Sequence, residues 1–157
     1  MLATKYFQSH GPAKLIDFSW WSGLSNKTAK EAINLLDNSF TKEVYKKETY
    51  WLKQDSASIY KINDVLLLPA YDEYIISYKD RSAVTEGEAA KKVISSNGIF
   101  WPVILSKGKV AGKWSRKIID NNVHVESQFF IAQTKALQTK LKRKYKNYAT
   151  FLKKKLI

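Results

Sequence analysis

Three consecutive leucines, Leu66 to Leu68, run directly into Pro69. A continuous apolar run suits a strand covered on both faces, and proline has no N–H to give to a ladder, so it cannot prolong a central strand. The chain therefore has to turn at Pro69. Beyond it Tyr71, Tyr74, Ile75 and Tyr78 recur at helical spacing. This predicts a short helix or 3₁₀ turn with Asp72 and Glu73 near its start, where the positive end of the peptide dipoles favours acids. Asp80 and Arg81 close the segment.

Upstream, Leu2 to Ser9 reads as a helix stopped by Gly11-Pro12, and Ala13 to Ser22 as a second helix with Leu15 or Ile16, Phe18 and Trp21 inward. After the Gly23-Leu24 turn, Ser25 is placed to cap a third helix through Asp37. Its Ala29, Ile33 and Leu36 form the i, i+4, i+7 stripe of a buried face. This is helix-turn-helix order. Glu43 to Tyr45 and Thr49 to Leu52, joined through Lys46-Lys47-Glu48, then read as the two strands of a wing.

A polar connection, Gln54 to Lys61, leads into the second region. There Thr85 to Ile94 is expected to be helical, with Glu86 and Glu88 in its first turn and Ser95-Ser96-Asn97-Gly98 as its stop. Strands are predicted at Phe100 to Leu105, Lys109 to Ile118 and Val123 to Phe129, with turns at Lys107-Gly108 and Asn121-Asn122. From Thr134 to the end, Leu137, Leu141, Tyr145, Tyr148 and Leu152 share one helical stripe. Lys135, Lys142, Arg143, Lys146, Lys153 and Lys154 fall opposite. The expected fold class is α/β (α+β): a winged helix-turn-helix over 1–61, a mixed region with mainly antiparallel strands over 62–133, and a long basic helix over 134–157.

Charge narrows the choice of partner. Residues 1–106 carry 13 Lys/Arg against 12 Asp/Glu, whereas residues 107–157 carry 14 against 2. Nearly all of the net +13 thus sits in the last third, a distribution that points to an anionic partner, above all nucleic acid. The absence of cysteine excludes disulfides and thiolate zinc sites. With only His10 and His124 as imidazoles, far apart in sequence, no metal and no cofactor is expected. No apolar run reaches the ~20 residues that span a bilayer. A cytoplasmic protein without a membrane partner is the expectation.

Three blocks in order carry a family resemblance. His10-Gly11-Pro12-Ala13 with Asp17-Phe18-Ser19-Trp20-Trp21-Ser22-Gly23-Leu24 resembles the last winged helix of the AlkZ-like family of bacterial DNA glycosylases. The Val65 to Val84 segment resembles that family's C-terminal half, as do Phe100 to Leu105 and Gly108 to Arg116. The resemblance implies a family-motif set of Pro69, Asp72, Glu73, Tyr74, Asp80 and Arg81, and relatives that hydrolyse the N-glycosidic bond of alkylated or cross-linked purines. In these glycosylases a Gln-x-Gln pair in the first half positions the attacking water. Gln8, Gln54, Gln128, Gln133 and Gln138 include no such pair, so no catalytic residue carries over. A preceding winged-helix portion, supplied by a longer chain or a partner, is implied instead, and Leu2 entering directly into a helix agrees with that expectation.

Each candidate residue has a structural alternative. The third helix sets Lys27 and Lys30 against Glu31 and Asp37, so it reads as a scaffold rather than a base reader, phosphate attraction supplying the non-specific affinity. Trp21 reads as core before base-stacking surface. Asp72, Glu73 and Asp80 read as helix caps and arginine partners before acid/base groups, and both histidines read as structural. On the Lys109 to Ile118 strand, alternation puts Trp114 with Val110, Gly112, Arg116 and Ile118, and Lys109, Lys113 and Lys117 on the other, solvated face. That lysine face is either a guard against edge pairing or a phosphate-binding surface. The combined expectation is a binder of double-stranded DNA whose contacts are Lys107, Lys109, Lys113, Lys117, Lys142, Arg143, Lys146 and Lys153. A glycosylase with relocated catalytic groups is one alternative. An RNA-binding module, which would favour exposed aromatics, is the other.

Overall fold

In the computed structural model, which describes residues 1–54, 64–85 and 87–157, the N-terminal periodicity becomes three helices, α1 (Leu2–His10), α2 (Leu15–Ser22) and α3 (Asn26–Asn34). They close on a core of Ala3, Tyr6, Phe7, Phe18, Ala29 and Ile33. Burial of each large apolar side chain there contributes about 1.5–3 kcal/mol. Ser25 caps α3 by accepting the Thr28 N–H at 3.1 Å. The helix ends at Asn34 rather than Asp37, because the Asp37 carboxylate turns to accept from Ser39. α2 begins two residues later than expected. Ala13 is drawn instead into an antiparallel bridge with Trp51, exchanging both backbone hydrogen bonds at 3.1 and 2.9 Å. The closeness of this approach explains Gly11, where a Cβ would stand 2.5 Å from the Phe7 carbonyl oxygen and 3.1 Å from Leu52 Cα.

Trp51 belongs to a hairpin of β1 (Phe40–Tyr45) and β2 (Glu48–Lys53). Lys46 and Lys47 make its turn, both at positive φ (49° and 67°), as the two central positions of a type I′ turn demand. The expected inward place of Trp21 is corrected. Trp20 is 51% exposed and Trp21 37% exposed, the latter lying against the Tyr6 and His10 rings with centroids at 5.0 and 5.7 Å. Phe18 and Tyr6 already fill the interior, which leaves the indole over its rim.

These elements form the first of two compact units, Met1–Tyr60 with Glu73–Asp80; the second holds Lys61–Asp72 with Arg81–Ile157. The expected C-terminal helix is thus part of a larger unit, and of the segment after Pro69 only Glu73–Asp80 belongs to the first. The expected connection over residues 55–61, the boundary at 61/62 and the place of Glu86 lie outside the described residues.

The second unit is built on a sheet of order β3-β4-β5-β6-β7: β3 (Val65–Leu68), β4 (Val103–Ser106), β5 (Lys109–Ile119), β6 (Asn122–Phe129) and β7 (Lys155–Leu156). β3 to β6 are antiparallel neighbours, and β7 runs parallel to β6. The leucine run is an edge strand, and Leu66 is 37% exposed, which corrects the expectation of cover on both faces. β4 begins at Val103 rather than Phe100. Phe100 bridges Ile94, the Trp101 N–H goes to the Val93 carbonyl, and Pro102 has no N–H to give. The helix expected over Thr85 to Ile94 is shorter, α5 (Glu88–Lys92), because Thr85 folds back on the Arg81 carbonyl and Ile94 joins that bridge.

A β-bulge resets the faces of β5. Val110 pairs with Leu105, yet Gly112 pairs with Ile104, so Ala111 is an extra residue between them. Val110 therefore lies on the face of Leu105, opposite Trp114. Lys109 likewise lies on the face opposite Lys113 and Lys117, and the expected three-lysine row is broken.

Candidate nucleic-acid interface

Helix α6 (Lys135–Phe151) starts at Thr134, whose hydroxyl accepts the Leu137 N–H at 3.2 Å. Its apolar stripe docks on the sheet: Leu137 and Leu141 join Val65, Ile104, Ala111 and Trp114 in one buried cluster, with Tyr145 and Tyr148 packed against it. The Trp114 indole N–H, buried on this face, donates to the Leu68 carbonyl at 2.8 Å. The Tyr145 and Ser127 hydroxyls share a hydrogen bond. The outward side of α6 carries cations and no acid: Lys142, Arg143 and Lys146 are all exposed. The helix ends at Phe151, so Lys153 and Lys154 are not on it. Lys153 is exposed at φ 54°, and Lys154 Nζ donates to the Asp120 carbonyl at 2.6 Å. The following strand β7 binds β6 through Lys155 N–H to Asn121 O and Ile157 N–H to Val123 O.

Two helix cations are tied to one carboxylate. Lys144 Nζ stands 2.7 Å from Asp64 Oδ2 and Arg143 Nη2 stands 3.7 Å from Asp64 Oδ1. The hydrogen bond from Lys144 holds the Asp64 carboxyl below the usual carboxylate range, and the Val65 N–H lowers it further. Of the expected contact residues on the sheet, Lys107 is exposed in the β4–β5 turn, Lys109 is exposed at the start of β5, and Lys117 is exposed opposite His124. Lys113 is half-buried, with its ammonium 5.2 Å from the Trp101 ring centroid. Arg116, which the expected set omits, is exposed on the helix face of β5, with its guanidinium 5.7 Å from the Tyr148 centroid.

The family-motif residues divide between the two units. In the second unit Pro69 follows β3, Asp72 is half-buried, and the Arg81 guanidinium lies 5.0 Å from the Phe100 centroid, with Tyr71 on the same ring at 5.9 Å. In the first, Glu73 and half-buried Tyr74 are in α4 (Glu73–Ile76). Glu73 accepts from the Ser77 hydroxyl and stands 3.5 Å from His10 Nε2. Asp80 takes the Lys14 ammonium at 2.5 Å.

Around Asp80 lies a polar hub that periodicity did not reveal. Asp17 is 2% exposed. One of its oxygens accepts the Lys14 N–H at 3.0 Å, and the other accepts the Lys79 and Asp80 N–H groups at 3.0 Å each. The Tyr6 hydroxyl donates to the Ser77 carbonyl at 3.0 Å and the Tyr78 hydroxyl to the His10 carbonyl at 2.8 Å. The one signal for this hub in the sequence is the Lys14-x-x-Asp17 spacing of a capping interaction at a helix start. These carboxylates hold backbone and ammonium groups together.

Burial pushes the phenols of Tyr6 and Tyr78 upward, Tyr78 to about 12, and nearby Asp17 adds to both. Unfolded tyrosine loses its proton near ~10. The two phenols therefore contribute stability that is fully present below pH ~10 and is lost as pH rises through their folded values. We predict that the stability advantage of the wild type over Tyr6→Phe in urea unfolding shrinks from pH 8 to pH 11; a constant difference would refute it.

Among the described residues, no group of three or more His, Cys, Asp or Glu is suited to a metal, and no helix is long and apolar enough to cross a membrane. A search of curated proteins finds no significant match. Among solved structures the chain is similar to the Streptomyces sahachiroi DNA glycosylase AlkZ, with a TM-score of 0.77 and 17% identity, over 99% of this chain and 44% of that one. At this identity the likeness carries the mixed α/β fold, and the chain spans less than half the length of that relative. The family model described as DNA glycosylase AlkZ-like matches residues 1–151. Sequence blocks, fold and family match agree, and the chain belongs to the AlkZ-like DNA glycosylase family.

Proposed function

We propose that the chain binds double-stranded DNA through the phosphate backbone, as a DNA-binding part related to the repair glycosylases, in the cytoplasm. The observation that carries this reading is α6: one face is committed to the sheet, while the other presents Lys142, Arg143 and Lys146 without an acid on the helix. In this reading the three N-terminal helices and the β1–β2 hairpin act as a winged helix, and the preceding winged-helix portion is supplied by further chain or by a partner. Lys107 from the β4–β5 turn and Lys153 just past the helix end add phosphate contacts, Lys109 contributes from the helix side of the sheet, and Lys113 and Lys117 contribute from its opposite side. The near-neutral α3 gives little direct base readout, so sequence preference is weak.

Neutralising about five phosphates gives a slope of log K against log salt of about −4 to −5. Fluorescence anisotropy of a labelled duplex between low and high salt measures it. Tight binding with no salt dependence would exclude the proposal.

A further inference from the structure

The face of the β5–β6 ladder opposite α6 is polar from Lys113, which pairs with Val103 at the start of β4, to Lys117. Cross-strand pairs there are Lys113 with Gln128, Ser115 with Glu126 and Lys117 with His124. A solvated sheet face accounts for all six of these residues. It does not account for Trp101, which stands against the same face and remains 38% exposed. Trp101 precedes Pro102, whose carbonyl accepts the Trp114 N–H at 3.1 Å. This seats the indole beside β5 where β4 enters the sheet.

Trp101, Lys113, Ser115, Glu126 and Gln128 line a recess of about 320 Å³, within the range of sites that hold small planar ligands. Its chemistry is specific in kind. One wall is an aromatic face with a cation 5.2 Å from its centroid. The floor offers an amide that both donates and accepts, a hydroxyl that does the same, and a carboxylate that only accepts. A nucleobase has a π-face to stack and a donor–acceptor edge to be read, and the phosphate beside it suits an ammonium. Paired bases expose no such face.

We propose that this recess binds an unpaired nucleobase of DNA, with Trp101 stacking, Gln128 and Glu126 meeting the base edge, and Lys113 taking the adjoining phosphate. The inference rests on the DNA-binding reading but makes a separate demand, preference for an unstacked base. Anisotropy with three labelled ligands tests it: an intact duplex, the same duplex with one bulged nucleotide, and a single strand.

Trp101→Ala is expected to weaken binding of the single strand and the bulged duplex about tenfold, and of the intact duplex less than twofold, while Trp101→Phe restores most of the loss. Gln128→Ala, on the other strand and exposed, gives the same selectivity at smaller size and keeps the test open if Trp101→Ala does not fold. Equal loss on all three ligands, or no loss on the single strand, overturns the proposal. Failure of the wild type to bind the intact duplex at any salt instead refutes the phosphate-backbone reading, and the single-strand comparison still decides this one.

Discussion

Replacing Lys142, Arg143 and Lys146 with glutamate is expected to lower duplex affinity by roughly two orders of magnitude at moderate salt and to flatten its salt dependence. Each lost phosphate contact removes about 0.9 from the slope of log K against log salt, so three remove about 2.7. The glutamates add repulsion to that loss. Stability should change little for Lys142 and Lys146, which are exposed and project away from the cluster of Leu137, Leu141 and Trp114. Arg143 is different because its guanidinium stands 3.7 Å from Asp64, and a carboxylate there would face another. The double variant Lys142→Glu/Lys146→Glu therefore isolates the electrostatic effect. Anisotropy at several salt concentrations beside a urea unfolding curve reads both quantities. Unaltered affinity in the triple variant would assign α6 to solubility or partner docking and move the DNA face to the turn and open side of β5.

The docked face of α6 was legible in the sequence because it depends on one period: apolar residues at i, i+4 and i+8 must share a side wherever the helix lands. The hairpin turn at Lys46-Lys47 and the Ser25 cap were legible for the same local reason. What was not legible depends on pairings distant in sequence. The bulge at Ala111 arises from the register of β5 against β4, and it moves Lys109 away from Lys113 and Lys117 although their spacing of four is even. Leu66 is exposed because β3 took an edge of the sheet, a place that its composition does not encode. Trp21 lies over the rim because other aromatics filled the interior first. The acids after Pro69 also looked like one set with Arg81, until Glu73 and Asp80 took partners in the first unit.

Asp17 gives the sharpest test of that last point, since its carboxylate fastens the Lys79-Asp80 backbone to the start of α2. Asp17→Ala would leave the N–H groups of Lys14, Lys79 and Asp80 without their acceptor. A buried donor left unsatisfied costs about 1–3 kcal/mol; the Lys14 N–H is buried, whereas the Lys79 and Asp80 N–H groups are part-buried and can be reached by water, so the expected loss is roughly 2–5 kcal/mol. Asp17→Asn keeps the shape but turns one acceptor into a donor facing an N–H, and should fall between alanine and the wild type. The midpoint of urea unfolding should shift at unchanged slope, which marks altered stability rather than an altered unfolded state. Amide exchange should quicken first in Ser77 to Asp80, where the anchor is lost, before the sheet of the second unit is affected. If Asp17→Ala cost less than a kilocalorie per mole and left that exchange unchanged, the hub would not be what holds the segment, and the Lys14–Asp80 pair with the Tyr6 and Tyr78 hydrogen bonds would have to hold it alone.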